Sequence, residues 1–497
     1  MLGPGAERDD IQGLLRSGYD ALTQASFLLL RIVDREAAQR WLLAAPVTTA
    51  AEHSVETVLQ IALSAGGMWK LGVDETIIAG FSAEFVAGMA GDEARSRRLG
   101  DVGANAPAHW RWGAQRRPDL LVMLCARTGL DAWRARIATG DFRQGFELLE
   151  ELTTTNMESK EPFGFRDGVS QPRIDWEGTR KPGTAADLEY GNLIAPGEFI
   201  LGYRNEYGLY TDRPLLDPGL ERASALPPAI DDPSRRDLGR NGSYLVLREL
   251  RQDVRAFWRY VAAQSADFQS ATRLAEAFVG RHLSGEPLIP GTHQISGIGR
   301  AAKKIHRNGF TYDDDKDGLR CPFGAHVRRA NPRTGDLPGG RQGLLSRLIR
   351  RLGLLHPDLR EDLIAASRFH RILRRAREFG AYLAPQDAVR PDAPDPHCGL
   401  HFVCLNANLV RQFEFIQNAW LANSKFAGLS GESDPLIGNR EPLLTGAATD
   451  GFGLQQPNGV TRRIVGLPQF VTVAGGDYFF MPGLRALHYL AGAPARL

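Results

Sequence analysis

The chain has 497 residues, 43% of them hydrophobic and 24% charged, the balance of an ordinary globular protein long enough to bury a large core. Lys and Arg number 60 against 58 Asp and Glu, a formal charge of +2, which gives no field for a polyanion such as nucleic acid. No stretch has the uninterrupted apolar length of a membrane span. The opening MLGPGAERDD lacks a basic region followed by an apolar run, and no twin-arginine pair precedes a hydrophobic stretch. The 4 cysteines, Cys125, Cys321, Cys398 and Cys404, form no disulfide framework. These features lead us to expect a cytoplasmic protein.

In chain order, period-2 patterns predict strands at 27–33, 198–203, 242–247, 399–405 and 469–473. Amphipathic spacing predicts helices at 253–264 and 270–278. Strands and helices mix without a regular βαβ beat, which predicts an α+β fold. The Pro-, Gly- and charge-rich stretch at 206–241 reads as a linker between an N-terminal domain, 1–205, and a C-terminal domain, 242–497. Within the latter, 339–362 reads as an insertion with leucines at helical spacing and arginines on the other faces. The bland reading is a docked surface helix; the sharper one is a contact with a partner or an acidic lipid.

Two segments carry the chemistry. GFRDG, from Gly164 to Gly168, sets Asp167 among glycines in a stretch unsuited to a helix interior, so a tight loop is expected. CPFGAHVRRANPR, from Cys321 to Arg333, sets His326 after two small residues and before Arg328, Arg329 and Arg333. One imidazole beside several guanidinium forks suits an axial haem ligand next to carboxylate-binding cations. Each residue also has an ordinary reading. An Asp in a glycine turn caps that turn, a histidine is commonly a structural donor, and Arg374 lies in an arginine-rich, helix-like stretch that would face solvent.

Three weaker patterns compete. DDDKDG, beginning at Asp313, matches half of a calcium loop but has Gly324 where the twelfth-position glutamate belongs. GIGRAA, from Gly297, lacks a convincing preceding strand for a dinucleotide site. His397 and His401 have helical zinc spacing but precede a strand-like alternation, which would turn them apart.

GFRDG and CPFGAHVRRANPR together resemble the dye-decolorizing (DyP-type) haem peroxidases. RFHRILRRAREFG (368–380), GLHFVCLNANLVRQFEFIQNAW (399–420) and FVTVAGGDYFFMPG (470–483) are similar to later parts of that family, in its order. The resemblance implies two ferredoxin-like α+β domains of the dimeric α+β barrel type, with haem in the C-terminal half near their junction. It implies His326 as the axial ligand of haem iron, Asp167 as the acid–base group and Arg374 as the distal cation. Asp167, Gly168, Arg328, Arg333 and Arg374 would line the cofactor site with His326. There is no CxxCH, so the expected cofactor is non-covalent haem b. The implied function is oxidation of bulky dyes, phenols or other one-electron donors by H2O2. A haem carrier, sensor or porphyrin-modifying enzyme on the same fold is the alternative. The implied partners are H2O2 and an organic reductant, without nucleic acid or a membrane span, and a homo-oligomer is compatible with the sequence. Glu414 is a weak candidate for the carboxylate behind His326.

Overall fold

The computed structural model describes residues 5–53, 55–180, 191–289, 307–335, 366–442 and 446–492. The insertion expected at 339–362 and the GIGRAA stretch lie outside them. Nine strands join in one sheet: β1 (Gln24–Ile32), β2 (Thr57–Leu63), β3 (Leu120–Ala126), β4 (Phe146–Thr153), β5 (Ser243–Gln252), β6 (Leu373–Arg374), β7 (Arg377–Phe379), β8 (Cys398–Asn406) and β9 (Val471–Met481). Their order is β6-β8-β5-β9-β2-β3-β1-β4, with β7 also paired to β8. Every ladder is antiparallel.

The sheet is two blocks side by side. In each block the strands lie fourth, first, third, second in the order of their own half, which is the ferredoxin-like arrangement of an α+β fold. The first block crosses from β1 to β2 through α1 (Arg35–Ala44) and from β3 to β4 through α2 (Leu130–Ile137). The blocks meet where β9 pairs with β2 at one register position, Phe480 opposite Leu63. β3 is buried at all 7 positions, so LLVMLCA needs no alternation, whereas edge strand β4 shows some.

In the second block β5 leads into α3 (Val254–Ala263) and α4 (Phe268–Val279). Both begin where an aspartate side chain accepts from a backbone N–H: Asp253 from Ala256 and Asp267 from Ser270. Phe257, Trp258, Phe278 and neighbouring apolar side chains bury one face of this helical pair. Gly280 ends α4 in the left-handed region (φ 89), which glycine adopts without Cβ strain. No helix among the described residues is long and apolar enough to cross a membrane.

Two local expectations change. The strand predicted at 198–203 is a 3-10 turn, Pro196–Glu198, followed by irregular chain. Phe199, Ile200 and Leu201 are at most 1% exposed, so the run is apolar because core surrounds it without strand pairing. The helix-like arginine stretch is instead the edge pair β6 and β7. Arg375 and Arg377 there spend their donors on carbonyls of Leu14, Leu15, Gly18, Tyr19 and Leu22, so helical periodicity was an accident of cation-rich composition.

Candidate active site

GFRDG forms the expected tight loop. Gly164 (φ 97) and Gly168 (φ 69) both take left-handed backbone, and a Cβ on Gly164 would lie 3.1 Å from the Pro385 ring. Glu161 shapes the loop from inside, its carboxylate accepting from the Phe163 and Phe165 N–H groups at 3.1 and 3.0 Å and from Gln252 at 2.7 Å. Asp167 emerges from this turn and accepts at 3.1 Å from Nη1 of Arg374 on edge strand β6. The Arg374 backbone N–H is itself held by the Gln171 side chain at 3.1 Å.

His326 opens the short helix α5 (His326–Ala330). Its Nδ1 faces Asp434 Oδ2 at 3.0 Å, so Nδ1–H donates and Nε2 keeps its lone pair. Asp434 is fully buried and is fixed in turn by the N–H groups of Leu436 and Ile437, each at 3.0 Å. Glu414 lies elsewhere, accepting from Arg95 and Tyr478, both at 2.9 Å. The carboxylate behind His326 is therefore Asp434.

His326, Asp167 and Arg374 line one cavity, whose remaining wall is largely apolar and includes Phe165, Leu250 and Phe402. A second cavity of about 890 Å³ shares Arg166, Asp167, Val169 and Arg374 with it, so the Asp–Arg pair is reachable from both. Gly168 lines this second cavity. Arg328 and Arg333 line neither. Arg328 is sandwiched between Tyr312 and Phe323, each at 4.4 Å, and donates to Asp315 at 3.0 Å. Arg333 donates to the carbonyls of Asn308 and Phe310 at 2.8 and 2.7 Å. These two arginines tie down the chain around His326.

Three carboxyls near this site differ in charge. Burial pushes Asp167 up, but Arg374, the Gly168 N–H and His326 outweigh it and hold Asp167 below the usual carboxylate range. Burial raises Glu161 and Glu378 to about 7, with the Asp167 charge adding to both. Of these three, Asp167 is the one held in the ionised form at neutral pH. Asp434, raised by burial, is brought below its usual value by His326, the Ile437 N–H and Arg329.

Sequence reasoning missed Asp434, Glu161, Glu378 and the cavity cation Arg281. Each lies outside the two diagnostic segments, and Asp434 is 108 residues from its partner. The competing patterns take ordinary places. Asp315 pairs with Arg328, the His401 Nε2–H donates to the Thr153 carbonyl at 3.0 Å inside the core, and the His397 side chain is 87% exposed.

No family model matches the chain. It is 30% identical to the multifunctional dye peroxidase DyP2 of an Amycolatopsis species over 452 residues, covering 87% of this chain and 82% of that protein. It is 27% identical to dye-decolorizing peroxidase msp1 of Mycetinis scorodonius, covering 87% and 76%. Among solved structures, the fungal DyP-type peroxidase of Auricularia auricula-judae superposes with a TM-score of 0.72 at 24% identity, over 99% of this chain and 100% of that one. A dye-decolorizing peroxidase in complex with 2,6-dimethoxyphenol gives 0.72 at 22%, over 98% and 100%.

Proposed function

This chain belongs to the dye-decolorizing peroxidases, oxidoreductases that use peroxide, and we propose on that footing that Asp167 and Arg374 are its peroxide-activating pair beside a haem held by His326. One observation carries the reading: an ionised carboxylate and a guanidinium 3.1 Å apart line the same cavity as an imidazole whose free nitrogen is Nε2. The donor set fits non-covalent haem b, with Asp434 fixing the tautomer and basicity of the ligand and an apolar wall for the porphyrin face. When bound, the haem would supply a ferric iron that holds peroxide and furnishes the electrons for O–O cleavage.

The protein's own part is proton and charge management. Asp167, ionised, takes the proton from one peroxide oxygen and returns it to the departing one, so water leaves instead of hydroxide. Arg374 cannot act as a base at neutral pH. It orients Asp167 and stabilises negative charge on the departing oxygen in a partly dry cavity. A haem carrier would need neither group, which favours the peroxidase reading over storage or transport.

Relatives named for dyes, and one captured with a phenol, support bulky dyes or phenolic one-electron donors as the reductant. The two ferredoxin-like strand orders support domains divided near 206–241. Four unpaired cysteines support a cytoplasmic setting. The test is haem retention: His326→Ala protein should purify without a stoichiometric Soret band and fail to regain one on reconstitution. Wild-type haem content in that variant would assign the ligand to another residue.

A further inference from the structure

The cavity wall contains a buried cation, Arg281, that no carboxylate among the described residues pairs with. Arg281 follows Gly280, whose left-handed backbone ends α4, and its residue is 4% exposed. Nη1 is engaged, donating to the carbonyls of Gly285 at 2.9 Å and Arg307 at 3.0 Å. Nη2 is buried and has no hydrogen-bond partner among the described residues. No ion pair forms at Arg281 among the described residues. Burial pushes the guanidinium down to about 10, and the Arg333 and Arg374 cations push it the same way. The Phe310 ring, 5.3 Å from the guanidinium carbon, offers quadrupole attraction without completing the missing hydrogen bond.

A charge taken out of water is costly unless it is paired, so a bound anion is what this arrangement lacks. Arg328, by contrast, already has its carboxylate, Asp315, and two ring faces. The cavity also fits an amphipathic ligand, with apolar side chains over most of its wall and Arg166, Arg248, Arg281, Arg371 and Arg374 as its arginines; of these Arg248 is already paired with Asp101 and Arg374 with Asp167. We infer that Arg281 binds a carboxylate of the porphyrin, its free Nη2–H donating to that oxygen, while Arg328 serves only the architecture. This rests on the haem reading above.

The test is direct titration of apoprotein with ferric protoporphyrin IX and with its dimethyl ester, in wild type, Arg281→Leu and Arg281→Lys. The readout is the dissociation constant from the Soret change. Wild type should bind the free acid roughly ten- to a hundredfold more tightly than the ester, the scale of one charge-assisted hydrogen bond. Arg281→Leu should lose that preference while still binding the ester like wild type, which doubles as its folding control. Arg281→Lys should keep part of the preference as a point charge. An Arg281→Leu variant that retains the full preference overturns the inference and leaves the haem reading intact. Equal wild-type affinity for acid and ester also overturns it, assigning the cation to a separate carboxylate ligand. If wild type binds neither porphyrin, the haem reading itself fails, and the Arg281 assignment with it.

Discussion

In the proposed reaction Arg374 would both hold Asp167 ionised and stabilise the departing oxygen, and these two roles can be separated by pH. Burial alone would raise the Asp167 carboxyl; the Arg374 charge is the leading opposing effect, followed by the Gly168 N–H and the Arg374 hydrogen bond. Asp167 is therefore deprotonated and able to act as a base from neutral pH down to below its ordinary value of about 3.8. As pH falls through the lowered pKa, both the base and the stabilising Asp167–Arg374 pair are lost. Arg374→Leu removes the cation, so burial dominates and the acid limb of the peroxide reaction should move upward. The maximal rate should also fall by about 10²–10³, as for loss of one charge-stabilising donor. The check is a pH–rate profile of the spectral change after mixing with H2O2. A limb that stays in place would mean Arg374 does not set the state of Asp167. At this scale the sequence disclosed residue types inside contiguous segments and little beyond them. His326 stood out within its segment, but its Asp434 partner comes from a loop 108 residues on that has no local signature. Glu414, the weak candidate for that partner, is instead consumed by Arg95 and Tyr478.

At the scale of elements, alternation and amphipathic spacing were legible where the core is one-sided. The amphipathic runs at 253–264 and 270–278 become α3 and α4, and the strand patterns at 242–247 and 399–405 grow into β5 and β8. The β6–β7 edge was not legible, because its arginines are held by carbonyls of a segment more than 350 residues earlier. β5 also carries a buried charge, Arg248, paired with Asp101 from a loop; both side chains are at most 3% exposed. Asp101→Ala would leave Arg248 buried and unpaired. It should lower unfolding free energy by about 3–5 kcal/mol, the usual cost of stranding one member of such a pair. Urea denaturation of the apoprotein measures this, and a loss under 1 kcal/mol would show that water reaches Arg248 freely.

For the whole molecule, the site draws on chain positions that only the assembled sheet brings together. Asp167 follows β4 of the first block, Arg374 lies on β6 of the second, and 207 residues separate them. A ligand held among them binds the folded chain and not the unfolded one. Haem should therefore raise the thermal midpoint of wild type in a concentration-dependent way, by about 2.7 kcal/mol of stability at 100 times Kd. His326→Ala should show little of that rise. Differential scanning calorimetry with and without haem reads the effect, and equal stabilisation of both proteins would place the porphyrin outside the His326 cavity.

The central claim is that Asp167 moves the proton that lets peroxide cleave. Haem-loaded wild type and Asp167→Ala, matched for haem content, should be mixed with H2O2 in a stopped-flow spectrometer at neutral pH. The account predicts a fast Soret change in wild type, slowed by about 10²–10⁴ in the variant, the range for losing a positioned general base. An Asp167→Ala protein that reacts at the wild-type rate would contradict it.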